Sequence, residues 1–213
     1  MIFKWNDMRI FKISAAVFCV FFSLESLAQT AFYDVILGGR VVGSVRVLYY
    51  ESKPESSKRR IEAEFSVPFY SGSFSSENHF VNGLLKTSVT EHRANGKQKE
   101  KTSTSNTSAR QYQIDFSGAT AATEKTKNLC FGIEKTITSL YYEEPVNVSS
   151  IYSERYGQMC NIKKLEDNNY GVTLPNGKKS RYTYRNGQCS VVEAELAGVK
   201  LHIVRRENRL AER

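Results

Sequence analysis

Cysteine, proline and histidine are scarce in this chain of 213 residues, which holds four, four and three of them. Few prolines and a charged fraction of 24% argue against disorder. Past the first 28 residues no apolar run approaches the ~20 residues needed to cross a bilayer as a helix. Three unlinked histidines give a Ser-His-Asp triad no anchor. A Gly-x-Ser-x-Gly elbow, a phosphate loop and a dinucleotide fingerprint are all missing. No cysteine spacing resembles a CxxC metal or redox motif. These absences leave no catalytic centre, no metal and no cofactor to build on.

The first 28 residues read differently from the rest. Lys4, Arg9 and Lys12 precede the apolar stretch Ile13–Leu24, and Ser26-Leu27-Ala28 fits a small-x-small cleavage site. Residues 1–28 are therefore expected to be a signal peptide cleaved after Ala28, which makes the protein exported, periplasmic or secreted. No cysteine sits just after the apolar run, which argues against a lipid-anchored start. The expected mature chain has no membrane span, and it retains Cys130, Cys160 and Cys189. Export permits a disulfide among these three, while an odd count leaves one over. The net charge of +8 suits an anionic envelope partner better than nucleic acid in an exported protein. Oligomeric state is not legible.

What the chain has in plenty is turns. Gly38-Gly39, Asn82-Gly83, Asn95-Gly96, Asn176-Gly177, Asn186-Gly187 and Ala197-Gly198 each separate runs of alternating apolar and polar residues. That is the pattern of antiparallel hairpins. A two-residue turn at Asn82-Gly83 pairs Val81 with Leu84, sets Phe74, Phe80, Leu85 and Val89 on one face, and puts His79, Lys86 and His92 on the other. His79 and His92 are then about 20 Å apart and cannot share an ion. At Pro175-Asn176-Gly177 a three-residue loop sets Leu174 against Lys178, aligning Tyr170 and Val172 with Tyr182 and Tyr184. The same choice at Asn186-Gly187 carries that face into Val192 and Ala194, then into Val199, Leu201 and Ile203. Lys97–Ala109, with Gln98, Glu100, Thr102 and Thr104 inward, reads as an edge strand. Tyr152, Glu154, Tyr156, Gln158 and Cys160 read as one face of a single strand.

One helix signal stands among these strands. Ile133, Ile137, Leu140 and Tyr141 recur at helical spacing, and Pro145 ends the pattern. The fold expected is mainly β, a strongly curved antiparallel meander, barrel or half-barrel, closed by one short α-helix over Thr136–Glu144. A single domain spans residues 29–205, followed by a charged tail at 206–213. An outer-membrane barrel fits less well, because Lys86, Lys97, Lys99 and Lys101 interrupt any lipid-facing band.

The inward residues give a candidate ligand-cavity lining of Ile137, Leu140, Tyr141, Tyr152, Glu154, Tyr156, Tyr170, Tyr182 and Tyr184. Glu154 calls for a tyrosine or arginine partner, since a buried carboxylate must be paired. Glu143-Glu144 ends the helix and suits a cation such as Arg155.

The segments FYDVILGGRVVGSVRV (32–47), TITSLYYEEP (136–145) and GVTLPNGKKSRYTYRNG (171–187) resemble a family of exported bacterial proteins known only as a domain of unknown function. The resemblance runs through most of Phe32–Arg205 and implies a shape without a chemistry. More remotely, such sequences look similar to half-barrel carriers of the lipoprotein-chaperone type, in which a curved sheet cups helices around an apolar cavity. That likeness carries over no residue. The function expected is non-enzymatic binding or carrying of a lipid or other amphiphilic small molecule in the cell envelope. The alternative is a structural or protein-interaction module with a filled core.

Overall fold

The computed structural model describes residues 29–53, 55–118, 125–196 and 198–207. The proposed signal peptide and residues 208–213 of the tail lie outside them. Among the described residues, fourteen strands form one sheet, antiparallel throughout. The first eight are β1 (Gln29–Leu37), β2 (Arg40–Lys53), β3 (Ser56–Val67), β4 (Tyr70–Val81), β5 (Leu84–Ala94), β6 (Lys97–Ser108), β7 (Gln111–Gly118) and β8 (Thr126–Leu129). The other six are β9 (Ser150–Ser153), β10 (Gln158–Glu166), β11 (Asn169–Thr173), β12 (Lys179–Arg185), β13 (Gln188–Leu196) and β14 (Val199–Arg205). Each strand pairs with its neighbour in sequence, except that β1 pairs with β14 while β8 and β9 are left as the two edges.

Turn chemistry explains this meander. Asn82 and Gly83 take φ of 51° and 76°, and Val81 faces Leu84 across a two-residue turn. Asparagine tolerates that left-handed backbone and glycine adopts it freely, which is why the pair reverses a strand so reliably. The Leu174 amide donates to the Lys178 carbonyl at 2.8 Å, so Tyr170 aligns with Tyr182 as expected. Val192 opposite Ile203 and Ala194 opposite Leu201 continue the face across β13 and β14.

Bulges account for most departures from simple alternation. Phe80 faces Leu85 but His79 faces Thr87, so Lys86 is an extra residue. The phase of β5 flips there: Ser88 and Thr90 are buried and Val89 is exposed. His92 consequently pairs with Phe74 and shares the inner face with Thr90, while His79 lies on the other face. At Asn186-Gly187 the turn has two residues, not three, and a bulge near Ser190 restores the pairing of Tyr182 with Val192. Tyr152 to Cys160 is a hairpin rather than one strand, because Gly157, at φ 61°, donates back to the Ser153 carbonyl at 2.8 Å. β6 is not an edge, being paired with both β5 and β7. The true edges, β8 and β9, have four residues each, short enough to discourage pairing with another sheet. Arg206, assigned to the tail, extends β1 pairing through its amide and pairs with Asp34 at 2.6 Å.

The expected α-helix is a 3₁₀ turn, Ile137–Tyr141. Thr136 caps it, its hydroxyl accepting from the Ser139 amide while the Ser139 hydroxyl accepts from the Thr136 amide. Three β-branched residues in succession, Thr136, Ile137 and Thr138, disfavour a longer helix, and Pro145 closes the segment. The turn lies in the connector from β8 to β9. Leu140, buried to 1%, packs with Ile151, Tyr170, Tyr184 and Val192. Tyr141 bridges to a second cluster, its ring edge-on to Tyr33 at 5.5 Å and to Tyr182 at 6.2 Å.

The sheet bends round this connector. Thr104 in β6 and Tyr152 in β9 stand eleven places apart in strand order. That is roughly 50 Å along a flat sheet. Their hydroxyls are nevertheless 2.8 Å apart. The sheet is not closed into a barrel.

Candidate functional site

Two features sit on the inner face: a buried polar clamp around the connector and an apolar cavity beyond it. The clamp centres on Glu154, just past β9 and only 3% exposed. Its Oε1 accepts from the Thr138 amide at 3.0 Å and from Asn78 Nδ2 at 2.8 Å, and its Oε2 accepts from the Ile137 amide at 3.1 Å. The partners are therefore the free amides that open the 3₁₀ turn and an asparagine of β4, rather than the tyrosine or arginine expected. A carboxylate there satisfies donors that a helical turn leaves unpaired. Asn78 also donates to Thr136 Oγ1 at 3.0 Å, and Thr138 donates to Ser76 Oγ at 2.9 Å. Ser76, Asn78, Thr136, Thr138 and Glu154 are all buried, and Ile137 is half-buried.

Tyrosine hydroxyls supply the other ties. Tyr184 donates to the Leu140 carbonyl at 2.7 Å, Tyr33 to the Cys189 carbonyl at 2.9 Å, and Tyr170 to Glu144 at 2.7 Å. Burial pushes the Tyr33, Tyr141, Tyr182 and Tyr184 hydroxyls far above their ordinary range, so they stay neutral, and Tyr33 and Tyr184 keep the protons they donate. Glu143 pairs with Lys135 at 2.6 Å and with Arg59 at 2.8 Å. Burial acts to raise its carboxyl, but the two cations outweigh that and hold it below the usual value. Arg155, the partner foreseen for Glu143-Glu144, instead pairs with Glu100 at 2.6 Å.

The nine residues proposed as a cavity wall do not form one site. Leu140, Tyr170, Tyr182 and Tyr184, with Ile137 and Tyr141, belong to one packed cluster. Tyr152 belongs to another with Tyr112 and Ile133, and Glu154 is in the clamp. Tyr156 is half-buried, bonded to Asn176 at 2.8 Å and 5.4 Å from the Arg155 guanidinium. Cys130, Cys160 and Cys189 are all free, the first exposed and the others buried. Burial raises the Cys189 thiol to about 12, so it is a packing group rather than a nucleophile.

The apolar cavity lies at the end of the sheet that carries the β1–β2, β3–β4 and β13–β14 tips. Leu37, Val42, Phe65, Val67, Tyr70, Val199 and Leu201 line about 300 Å³. The bulge opposite Val35 and Ile36 turns Val42 inward to join them. Gly72 leaves room for the Phe65 ring, because a Cβ there would lie 2.5 Å from two of its atoms. A family model described as a domain of unknown function, DUF6134, matches residues 33–206. The chain belongs to this family. No curated protein and no solved structure matches the chain.

In this DUF6134 domain the cavity residues were legible in sequence only as strand ends. Leu37, Val67 and Val199 are the last or first residues of β1, β3 and β14. An apolar side chain beside a turn, where polar residues usually cluster, is the signal that points to them. Asn78 gave no such signal. Its alternation with Ser76 and Phe80 marks the face, but its partner comes from a connector 58 residues away.

Proposed function

We propose that this domain acts in the cell envelope as a non-enzymatic binder of an apolar or amphiphilic molecule. The strongly curved sheet serves as a half-barrel, the connector fills its middle, and the guest enters the cavity between Leu37, Phe65, Val67 and Val199. The observation that carries this reading is the wholly apolar or aromatic lining of that cavity. Its volume of about 300 Å³ lies at the small end of ligand pockets, which supports a single acyl chain or ring rather than a two-chain lipid. Burial against Phe65 and Tyr70, with a polar end left in solvent, would supply the affinity. Export rests on the reading of residues 1–28, and the non-enzymatic assignment on the lack of a catalytic motif.

Native mass spectrometry of the purified protein tests the proposal. A bound small amphiphile, lost from a Val67→Arg variant of normal stability, supports it. Clean apo-protein that takes up no fluorescent fatty-acid probe overturns it. The second reading, a structural module with a filled core, draws support from the dense packing of Leu140, Tyr170, Tyr182 and Tyr184 around the connector.

A further inference from the structure

Phe69 is fully exposed, at 102% of its reference area, and has φ of 66°. It follows Pro68 in the two-residue turn between β3 and β4, where Val67 faces Tyr70. Proline then a left-handed residue is the pattern of a type II turn, whose third position favours glycine. A bulky side chain there is strained, and a phenylalanine in water gains nothing from burial. Strain and exposure coincide at one residue, at the tip beside the apolar cavity. Val199, 49% exposed, lies on the neighbouring β13–β14 tip and lines that cavity.

The same end of the sheet is basic. Antiparallel order puts the turns that follow β1, β3, β5, β7, β9, β11 and β13 at one end. Among the described residues those turns carry Arg40, Lys97, Lys125, Arg155, Lys178, Lys179 and Lys200, all but Arg155 and Lys178 exposed. Against them, among the described residues, stand the exposed Glu195 and the buried Glu154. The opposite end mixes the signs, with Glu55, Glu134, Glu166, Asp167 and Glu207 exposed among its arginines. The charge asymmetry therefore runs along the strands and points the basic end, with its one protruding phenylalanine, at a negatively charged surface.

We propose that this end is a docking surface for an anionic lipid bilayer, with Phe69 entering the interface and the ring of Arg40, Lys97, Lys178, Lys179 and Lys200 meeting the headgroups. An apolar tip flanked by cations is the arrangement by which peripheral proteins sit in that layer. Docking there brings the cavity mouth to the lipid surface. The surface stands on Phe69 and the charge pattern, so it does not depend on the cavity holding a ligand.

Vesicle flotation of the purified protein tests it, with phosphatidylcholine vesicles made with and without phosphatidylglycerol. The protein is expected to float with the anionic vesicles and to dissociate as salt rises. Phe69→Gly relaxes the turn, so it should keep or raise thermal stability while weakening vesicle binding about tenfold. Lys178→Glu with Lys179→Glu should weaken it as well. Protein that stays with the soluble fraction, or a Phe69→Gly variant that floats like the parent, overturns the proposal. Uptake of a soluble fatty-acid probe without vesicles reads the cavity alone, and its loss would leave the flotation result standing.

Discussion

Replacing Glu154 with glutamine exchanges one carboxylate oxygen for an NH₂ group and leaves the volume of the side chain nearly unaltered. In the native clamp both carboxylate oxygens face donors: Thr138 N–H and Asn78 Nδ2 at one, Ile137 N–H at the other. A glutamine can offer its single carbonyl to one side only. With the carbonyl toward Thr138 and Asn78, its NH₂ meets the Ile137 amide, donor against donor. One charge-assisted hydrogen bond is lost, typically about 1.5–3 kcal/mol, and a donor shut away from water costs about 1–3 kcal/mol. The two overlap, so about 2–4 kcal/mol is expected, a large part of the ~5–15 kcal/mol that holds such a domain together. Urea unfolding followed by far-UV circular dichroism would read it, because the sole tryptophan, Trp5, precedes the folded domain. The midpoint should fall with little change in slope. A midpoint equal to the parent's would refute the reasoning, since the connector would then be held by packing alone. Asn78→Asp, which sets a second carboxylate against Glu154, should be worse.

Further expectations follow from particular contacts. Leu140→Asp buries an unpaired charge in a side-chain cluster 1% exposed at that residue and should prevent folding, while Leu140→Ala should cost about 2–5 kcal/mol. Circular dichroism on both variants checks this, and a stable Leu140→Asp protein would show the connector to be peripheral. Gly43→Ala would place a Cβ 2.1 Å from the Glu64 carbonyl oxygen, so the strand must move, at about 1–3 kcal/mol of thermal stability. Burial, then Arg155, hold His92 below its ordinary 6.5 against the opposing pull of Glu100. The unfolded chain therefore takes up this proton first. The stabilisation is complete above pH 6.5 and is lost as pH falls below it towards the folded value. A His92→Gln variant should flatten that part of the stability profile, above the carboxylate losses that begin near 4.5 for Glu62 and Glu143.

Local turn chemistry made much of this fold readable. Asn82-Gly83, Leu174–Lys178 and the step from Leu196 to Val199 could be registered because each turn type demands particular residues. Bulges left no comparable mark. Nothing in Leu85-Lys86-Thr87 announces an extra residue, yet it turns Val89 outward and His92 inward. The Ser153–Gly157 turn was hidden because alternation happens to continue through it, from Tyr152 to Cys160. The connector's 3₁₀ form depends on an acceptor that lies 16 residues ahead of Thr138, beyond the reach of any helical period. The inward threonines of β6 read as part of an edge strand, when Thr102 and Thr104 in fact bond the Arg155 carbonyl and the Tyr152 hydroxyl at 2.9 and 2.8 Å. The apolar cavity escaped because its walls come from strand ends that meet only when β1, β3, β4 and β14 assemble.

The central claim is that the cavity between Leu37, Phe65, Val67 and Val199 accepts an apolar guest. Titration of a fluorescent fatty-acid probe into the parent protein and a Val67→Arg variant tests it most directly. Saturable binding by the parent, abolished in a variant with unchanged circular dichroism and melting temperature, is the predicted result. Equal binding by both, or no binding by the parent, would contradict the account.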